Sequence, residues 1–334
     1  MKVLFVNEAG VHELLSMRDC IPLMRDCLTS LANGDVVLPL RTKVRLPDGS
    51  GILGLMPGYL GHPESFGLKV VTVMPGNHGT PYDSHQGVVM LFGVAHGEPL
   101  AIVDATAITA IRTAAASAAA TEVLARPDAG DLALLGSGAQ ARTHLAAMQS
   151  VRTLRRVRVW SRTRANAERF AREQSERSGV TIEVSKSAAE AVRGADLVCT
   201  TTAAREPILR GEWLAPGAHV NAVGACFSTS RELDTEAVRR ARFFTDCRES
   251  CLNEAGDFLI PREEGAIDDA HLLGDLGEVF LGKVPGRASR DDITIFESLG
   301  VAIEDLAAAH FIHRRALETG AGMWLEWGGP SGSA

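Results

Sequence analysis

Apolar residues recur along this chain in two rhythms. Up to residue 104 they form short runs bounded by glycine and proline, at 2–6, 42–46, 51–56, 68–74, 88–94 and 100–103. Runs of that length between turn formers predict strands, and short connections predict a mainly antiparallel sheet. The last two, joined by Ala95-His96-Gly97-Glu98-Pro99, predict a hairpin. One early helix is expected: Asn7 can cap it, the stretch to Leu15 begins it, and 20–31 continues it to the stop signal Asn33-Gly34. The Ala-rich segment 105–124 is then helical, and Arg126-Pro127 closes it.

After residue 131 the rhythm alternates. Apolar runs at 132–135, 157–161, 181–184, 196–200, 219–223 and 242–245 are interleaved with helical patterns at 141–149, 164–177 and 188–192. Strand–helix alternation predicts βαβ units in a parallel sheet with right-handed crossovers. From about residue 297 a single long helix is expected, over 299–317.

One loop carries chemistry. Leu134-Leu135-Gly136-Ser137-Gly138-Ala139-Gln140-Ala141 is a GxGxxA fingerprint between a strand and a helix. Gly136 permits the tight turn, Gly138 lets the backbone approach a pyrophosphate, and Ala141 lets the helix pack close to the strand. Ala139 and Gln140 open the helix whose N-terminal amides meet the phosphates. A lone fingerprint can be only a turn; the βαβ units that follow are what make it a dinucleotide site.

The end of the next strand selects the cofactor. A carboxylate there binds the adenosine 2′-hydroxyl of NAD, whereas this chain has Trp160-Ser161-Arg162-Thr163. Ser161 and Thr163 can donate to a 2′-phosphate and Arg162 can pair with it, which points to NADP(H) ahead of NAD(H). The neighbouring Arg152, Arg155, Arg156 and Arg158 read as a solvated face.

Composition narrows the partners. Across 334 residues, 34 basic against 41 acidic side chains leave a net charge of −7, which argues against nucleic acid. No window approaches the roughly 20 apolar residues that span a bilayer. The N-terminus lacks the long apolar core of a secretory signal, so a cytoplasmic protein without a membrane partner is expected. Cys20, Cys27, Cys199, Cys226, Cys247 and Cys251 form no CxxC pair or zinc spacing; no metal is expected, and buried reduced thiols are the reading for all but Cys226. His12, His62, His78, His96, His144, His219, His271, His310 and His313 show no spacing that demands chemistry.

Several segments taken in order resemble the ornithine cyclodeaminase/mu-crystallin family. They are Ser84-His85-Gln86-Gly87, Ala107-Ile108-Thr109-Ala110-Ile111-Arg112-Thr113-Ala114-Ala115, the Gly136 loop and Glu206-Pro207-Ile208. Gly217-Ala218-His219-Val220-Asn221-Ala222-Val223-Gly224-Ala225, Arg231-Glu232-Leu233-Asp234, Asp291-Asp292-Ile293-Thr294 and Ser298-Leu299-Gly300 complete the set. That family includes ornithine and lysine cyclodeaminases, alanine dehydrogenases, Δ1-pyrroline-2-carboxylate reductases and ketimine reductase. The resemblance implies an α/β protein: a Rossmann NADP(H)-binding domain over 116–299, and a mixed α+β substrate and dimerisation domain made of 1–115 together with 300–334. It also implies a homodimer joined through the N-terminal sheets.

The resemblance further implies that Arg45, Lys69 and Arg112 hold the carboxylate and reacting nitrogen of a small imino or amino acid. Cofactor contacts are expected at Ser84, His85, Arg112, Thr113, Thr201, Thr202, Ala222, Val223 and Gly224 as well. The residues by themselves leave the three cations open. Lys69 interrupts the run Leu68-Lys69-Val70-Val71, where a lysine more often points to solvent. In a cleft, desolvation would lower its pKa and suit proton transfer.

One position departs from the cyclodeaminase pattern. Those enzymes resemble this chain through Ala222-Val223-Gly224 but carry an Asp two residues later, where Cys226 stands, a thiol mostly neutral at pH 7. The ketimine reductase branch carries a small uncharged residue there. With Ser161-Arg162-Thr163, this favours NADPH-dependent reduction of Δ1-pyrroline-2-carboxylate or Δ1-piperideine-2-carboxylate to L-proline or L-pipecolate. Lys69 would be the acid, and Cys226 would shape the pocket floor. The alternatives are an ornithine or lysine cyclodeaminase, an alanine-type dehydrogenase, and a ligand binder without catalysis.

Overall fold

The computed structural model describes residues 1–77 and 79–328; His78 and the end of the chain, 329–334, lie outside the described residues. Two compact units divide the chain: Met1–Arg112 with Val301–Ala334, and Thr113–Gly300.

The first unit opens with β1 (Lys2–Val6) and α1 (Glu8–Leu14), whose cap Asn7 accepts from the Gly10 amide. Where one early helix was expected there are two. Leu15 is extended, and Ser16 starts α2 (Met17–Ala32) by accepting from the Asp19 amide at 3.1 Å, so a second N-cap breaks the run. There follow β2 (Val36–Val37), β3 (Thr42–Arg45), β4 (Ile52–Leu60), β5 (Ser65–Val73), β6 (His85–Phe92) and β7 (Pro99–Asp104). β3 to β7 pair antiparallel in succession, and the β6–β7 hairpin forms at the expected place. β1 joins β7 in parallel. Asp104 then accepts from the Ala107 amide at 2.8 Å and starts α3 (Ala105–Leu124), buried along most of its length; Arg112, on this helix, ends the first stretch of the unit.

In the second unit come β8 (Asp131–Leu135), α4 (Ala139–Val151), β9 (Arg156–Trp160), α5 (Arg164–Ser178), β10 (Ile182–Val184), α6 (Ala188–Val192) and β11 (Leu197–Thr200). After them are β12 (His219–Ala222), α7 (Thr235–Arg239), β13 (Ala241–Thr245), α8 (Arg248–Glu254), α9 (Gly256–Glu263), β14 (Leu272–Asp275), α10 (Leu276–Phe280) and β15 (Ile293–Glu297). The strands form one parallel sheet in the order β10-β9-β8-β11-β12-β15-β13-β14. Counted from β8, its first five strands lie 3-2-1-4-5, the doubly wound Rossmann arrangement. α7 to α10, β14 and β15 were not foreseen.

The chain then returns to the first unit. α11 (Ala302–Thr319) starts later than the expected residue 299, because Gly300 takes a left-handed φ of +71° and Val301 is extended. α11 packs on β4 and β5 and against α2, burying Ile303, Leu306 and Ile312. Truncating Leu306 to Ala costs about 2–5 kcal/mol for a contact of this kind. β16 (Met323–Glu326), also unforeseen, adds antiparallel to β1.

Candidate functional site

The buried face of α11 carries two carboxylates. Glu304 and Asp305 are fully buried beside Ile303 and Leu306, and a charge in such surroundings persists only with partners. Asp305 Oδ2 lies 2.7 Å from Lys69 Nζ, and its Oδ1 accepts from Arg112 Nε at 3.0 Å. Arg112 Nη1 donates to Glu304. Lys69 Nζ also donates to Thr109 Oγ1 at 3.4 Å.

Lys69 therefore does not point to solvent, the commoner outcome for such a lysine. On β5 it falls in the buried alternation with Ser65 and Gly67, which directs it at α11, and it is only 3% exposed. Burial pushes the ammonium down to about 8; the Asp305 charge opposes the fall, while Arg112 and then Arg41 add to it. An amine with that pKa is mostly protonated near neutrality and gives up its proton readily. Burial first, and then the Glu304 charge, raise the Cys20 and Cys27 thiols of α2, which leaves both inert.

Arg45 stands apart from this cluster. It pairs with Ile52, which pairs with Val73, whereas Lys69 pairs with Met56. Four residues along a strand amount to about 13 Å, and Arg45 is exposed. Arg41 immediately precedes Thr42, the partner of Leu55, and so stands at the Met56–Lys69 row; its charge acts on Lys69. His85 begins β6 and Ser84 immediately precedes it, with Ser84 Oγ 3.1 Å from His85 Nδ1. Desolvation of the His85 ring, then the Lys69 charge, lowers its pKa.

The second unit holds the Gly-rich loop. Gly136 has φ +125°, and its amide donates to the Trp160 carbonyl at 2.8 Å. A Cβ on Gly136 would lie 2.6 Å from Thr201 Oγ1 and 2.7 Å from the Thr201 carbonyl oxygen. Gly138 differs: its φ is −89°, a Cβ there would meet nothing within 4 Å, and no side chain caps α4. Ala139 is exposed, Gln140 half-buried and Ala141 fully buried. An open helix N-terminus behind an uncrowded glycine suits a pyrophosphate.

At the end of β9, Ser161 is half-buried and Arg162 and Thr163 are exposed, while Arg164 pairs with Glu168 at 2.7 Å. Thr201 and Thr202 follow β11; Ala222 and Val223, both buried, and Gly224 lie at the end of β12. β8, β11 and β12 are adjacent and parallel, so these loops share the carboxyl edge where open α/β sheets take ligands. Thr113, on α3, is buried. Cys226 is half-buried, its thiol donating to the Val223 carbonyl at 3.6 Å and the Leu299 carbonyl at 3.7 Å. The other five cysteines are free and buried. Burial holds His144 near a pKa of about 4 and His219 near about 3, as neutral members of the packed interior.

Three residues of these clusters were not foreseen. Glu304 and Asp305 had a signal in the sequence: two adjacent acids inside the otherwise apolar run Val301-Ala302-Ile303 to Leu306-Ala307-Ala308. Glu232 was noticed only as part of Arg231-Glu232-Leu233-Asp234. Fully buried, its carboxylate accepts from the Thr202 amide at 2.7 Å, from Thr202 Oγ1 at 2.6 Å and from the Gly224 amide at 2.8 Å. Among the described residues, no group of three or more His, Cys, Asp and Glu could hold a metal ion, and no helix is long and apolar enough to cross a membrane.

The model of the ornithine cyclodeaminase/mu-crystallin family matches residues 1–320. Ketimine reductase mu-crystallin of Mus musculus is 43% identical over 281 residues, covering 84% of this chain and 86% of that protein. The structure of Thermococcus litoralis Δ1-pyrroline-2-carboxylate reductase in complex with NADH and L-proline superposes with a TM-score of 0.94 at 38% identity, covering 96% of this chain and 99% of that one. An archaeal alanine dehydrogenase dimer with bound NAD superposes with a TM-score of 0.92 at 30% identity, covering 98% and 100%.

Proposed function

Because this chain belongs to the ornithine cyclodeaminase/mu-crystallin family, we propose that it reduces the C=N bond of a small cyclic ketimine carboxylate with NADPH. The substrates proposed are Δ1-pyrroline-2-carboxylate and Δ1-piperideine-2-carboxylate, and the products L-proline and L-pipecolate. The observation that carries this reading is the buried Lys69 held between Asp305 and Thr109.

When bound, the reduced nicotinamide supplies a hydride to C2 of the imine. Lys69 supplies the other hydrogen: as an ammonium it protonates the ring nitrogen, which makes C2 electrophilic, and it is left as a neutral amine that solvent reprotonates. Asp305 orients Lys69 and favours its charged form. Lys69 and Arg112 are already matched by Asp305 and Glu304, two cations against two carboxylates. A substrate carboxylate therefore calls for a further cation, and we assign that role to Arg41 in place of Arg45. Cys226 offers no carboxylate to take a proton from an amino acid, which favours reduction over deamination.

The cofactor role falls to the second unit, through Gly136, Gly138 and the first turn of α4, and the substrate role to the first. NADPH is proposed over NADH because Ser161, Arg162 and Thr163 bring donors and a cation, with no carboxylate in that stretch. We also propose a homodimer formed through the first unit's sheet. Val37, Val44 and Phe66, on and near its β2/β3 edge, are 63%, 52% and 46% exposed, an apolar edge of the kind that pairing covers. Incubation with NADPH and Δ1-pyrroline-2-carboxylate followed by chiral analysis is expected to give L-proline. Racemic product, or none, would overturn the reading.

A further inference from the structure

We propose that Glu232 is the positioning residue of the nicotinamide side of the cofactor site, clamping together the loops that follow β11 and β12; this rests on the nicotinamide-cofactor reading above. One carboxylate oxygen takes both the amide and the hydroxyl of Thr202, and the other takes the amide of Gly224. The two loops also touch directly: a Cβ on Gly224 would lie 2.1 Å from the Thr202 carbonyl oxygen and 2.6 Å from Glu232 Cδ. Thr201, beside Thr202, donates its amide to the Leu135 carbonyl at 2.8 Å and packs on Gly136. The fingerprint loop, Thr201–Thr202 and Gly224 thus form one run of contacts across three adjacent strand ends, with Glu232 fastening its far end.

Glu232 is itself held. One oxygen of the fully buried Asp257 accepts from the amides of Glu232 and Leu233, both at 2.8 Å. Burial and the nearby Glu232 charge push the Asp257 carboxyl well above its usual range; burial raises the Glu232 carboxyl as well, against the bonds from Thr202 and Gly224 that favour its charged form. A buried carboxylate is costly to place, and here the cost is offset by fixing three donors at the edge where the sheet takes its ligand. A fixed wall there orders the nicotinamide half of the cofactor and leaves the adenine half, at β8 and β9, alone.

The test compares whole cofactor with its adenine half on the intact protein. In Glu232→Gln the side-chain amide keeps one acceptor oxygen and turns an NH2 toward one of the loop amides. NADPH affinity is expected to fall about tenfold or more, as for a buried amide left without an acceptor. Affinity for 2′,5′-ADP is expected to stay within about twofold, as for a distant site. Equal loss of both ligands, or loss of neither, would overturn the proposal. Should Glu232→Gln fail to fold, Thr202→Val removes the hydroxyl's bond to Glu232 together with the bond it accepts from the Ala204 amide, and a several-fold loss on NADPH alone is expected; no loss overturns it. A wild-type protein that bound ADP-ribose but not 2′,5′-ADP would defeat the NADP assignment, and the clamp would then stand or fall on the same contrast between NADH and ADP-ribose.

Discussion

Asp305 joins Lys69 to Arg112: one of its oxygens lies 2.7 Å from Lys69 Nζ and the other accepts from Arg112 Nε at 3.0 Å. A single carboxylate thereby directs the lysine and, against the larger effect of burial, favours its charged form. With Lys69 as the proposed acid, kcat should be full below a pH of about 8 and fall as pH rises through it. The Asp305 charge raises the Lys69 pKa, so Asp305→Asn should move that falling limb to lower pH. The variant should also lose about 3–5 kcal/mol of stability, as when one partner of a buried ion pair is removed. A limb that stays in place while activity drops would mean that Asp305 supports the fold and not the proton.

Arg41 and Arg45 should separate cleanly. Arg41→Ala is expected to raise KM for the ketimine by about 10–100-fold, the loss of one charge-assisted contact. Arg45→Ala, on an exposed position about 13 Å along the strand, should change KM by no more than about twofold. The opposite ranking would return the carboxylate to Arg45.

Two glycines of one loop should fail in different ways. Gly136→Ala sets a Cβ 2.6 Å from Thr201 Oγ1 at a φ of +125°, and should lower the melting temperature as well as cofactor affinity. Gly138→Ala meets nothing in the protein and should melt like wild type while binding NADPH more weakly. Calorimetry beside a binding titration distinguishes them; a stable Gly136→Ala protein would contradict the steric argument.

Arg162→Ala should weaken NADPH by about tenfold or more, one charged hydrogen-bonding contact to the 2′-phosphate, and leave NADH nearly unchanged. Equal weakening of both cofactors would place Arg162 outside the phosphate site.

What could be read in the sequence follows the physics of each segment. The Rossmann unit was legible because its strands and long helices run for enough residues to show a period and because Gly136 and Gly138 mark its loop. Of the interior strand β15 only Ile293 and Thr294 were read, as the end of the segment Asp291-Asp292-Ile293-Thr294 that carries the resemblance. Lys69 and Arg112 were singled out through resemblance. Their partners Glu304 and Asp305 were not, because acids in a helix are ordinarily solvated, and only the packing of α11 on β4 and β5 reveals that these two are enclosed. That Arg41 and not Arg45 stands level with Lys69 follows from pairing register, which is invisible in one sequence.

The central claim is tested most directly by following the oxidation of NADPH with Δ1-pyrroline-2-carboxylate and Δ1-piperideine-2-carboxylate, wild type against Lys69→Ala. Substrate-dependent oxidation that the variant loses by about 100-fold or more, with NADPH binding retained, is the expected result. No oxidation, with ammonia released from ornithine or lysine instead, would contradict it and make this chain a cyclodeaminase.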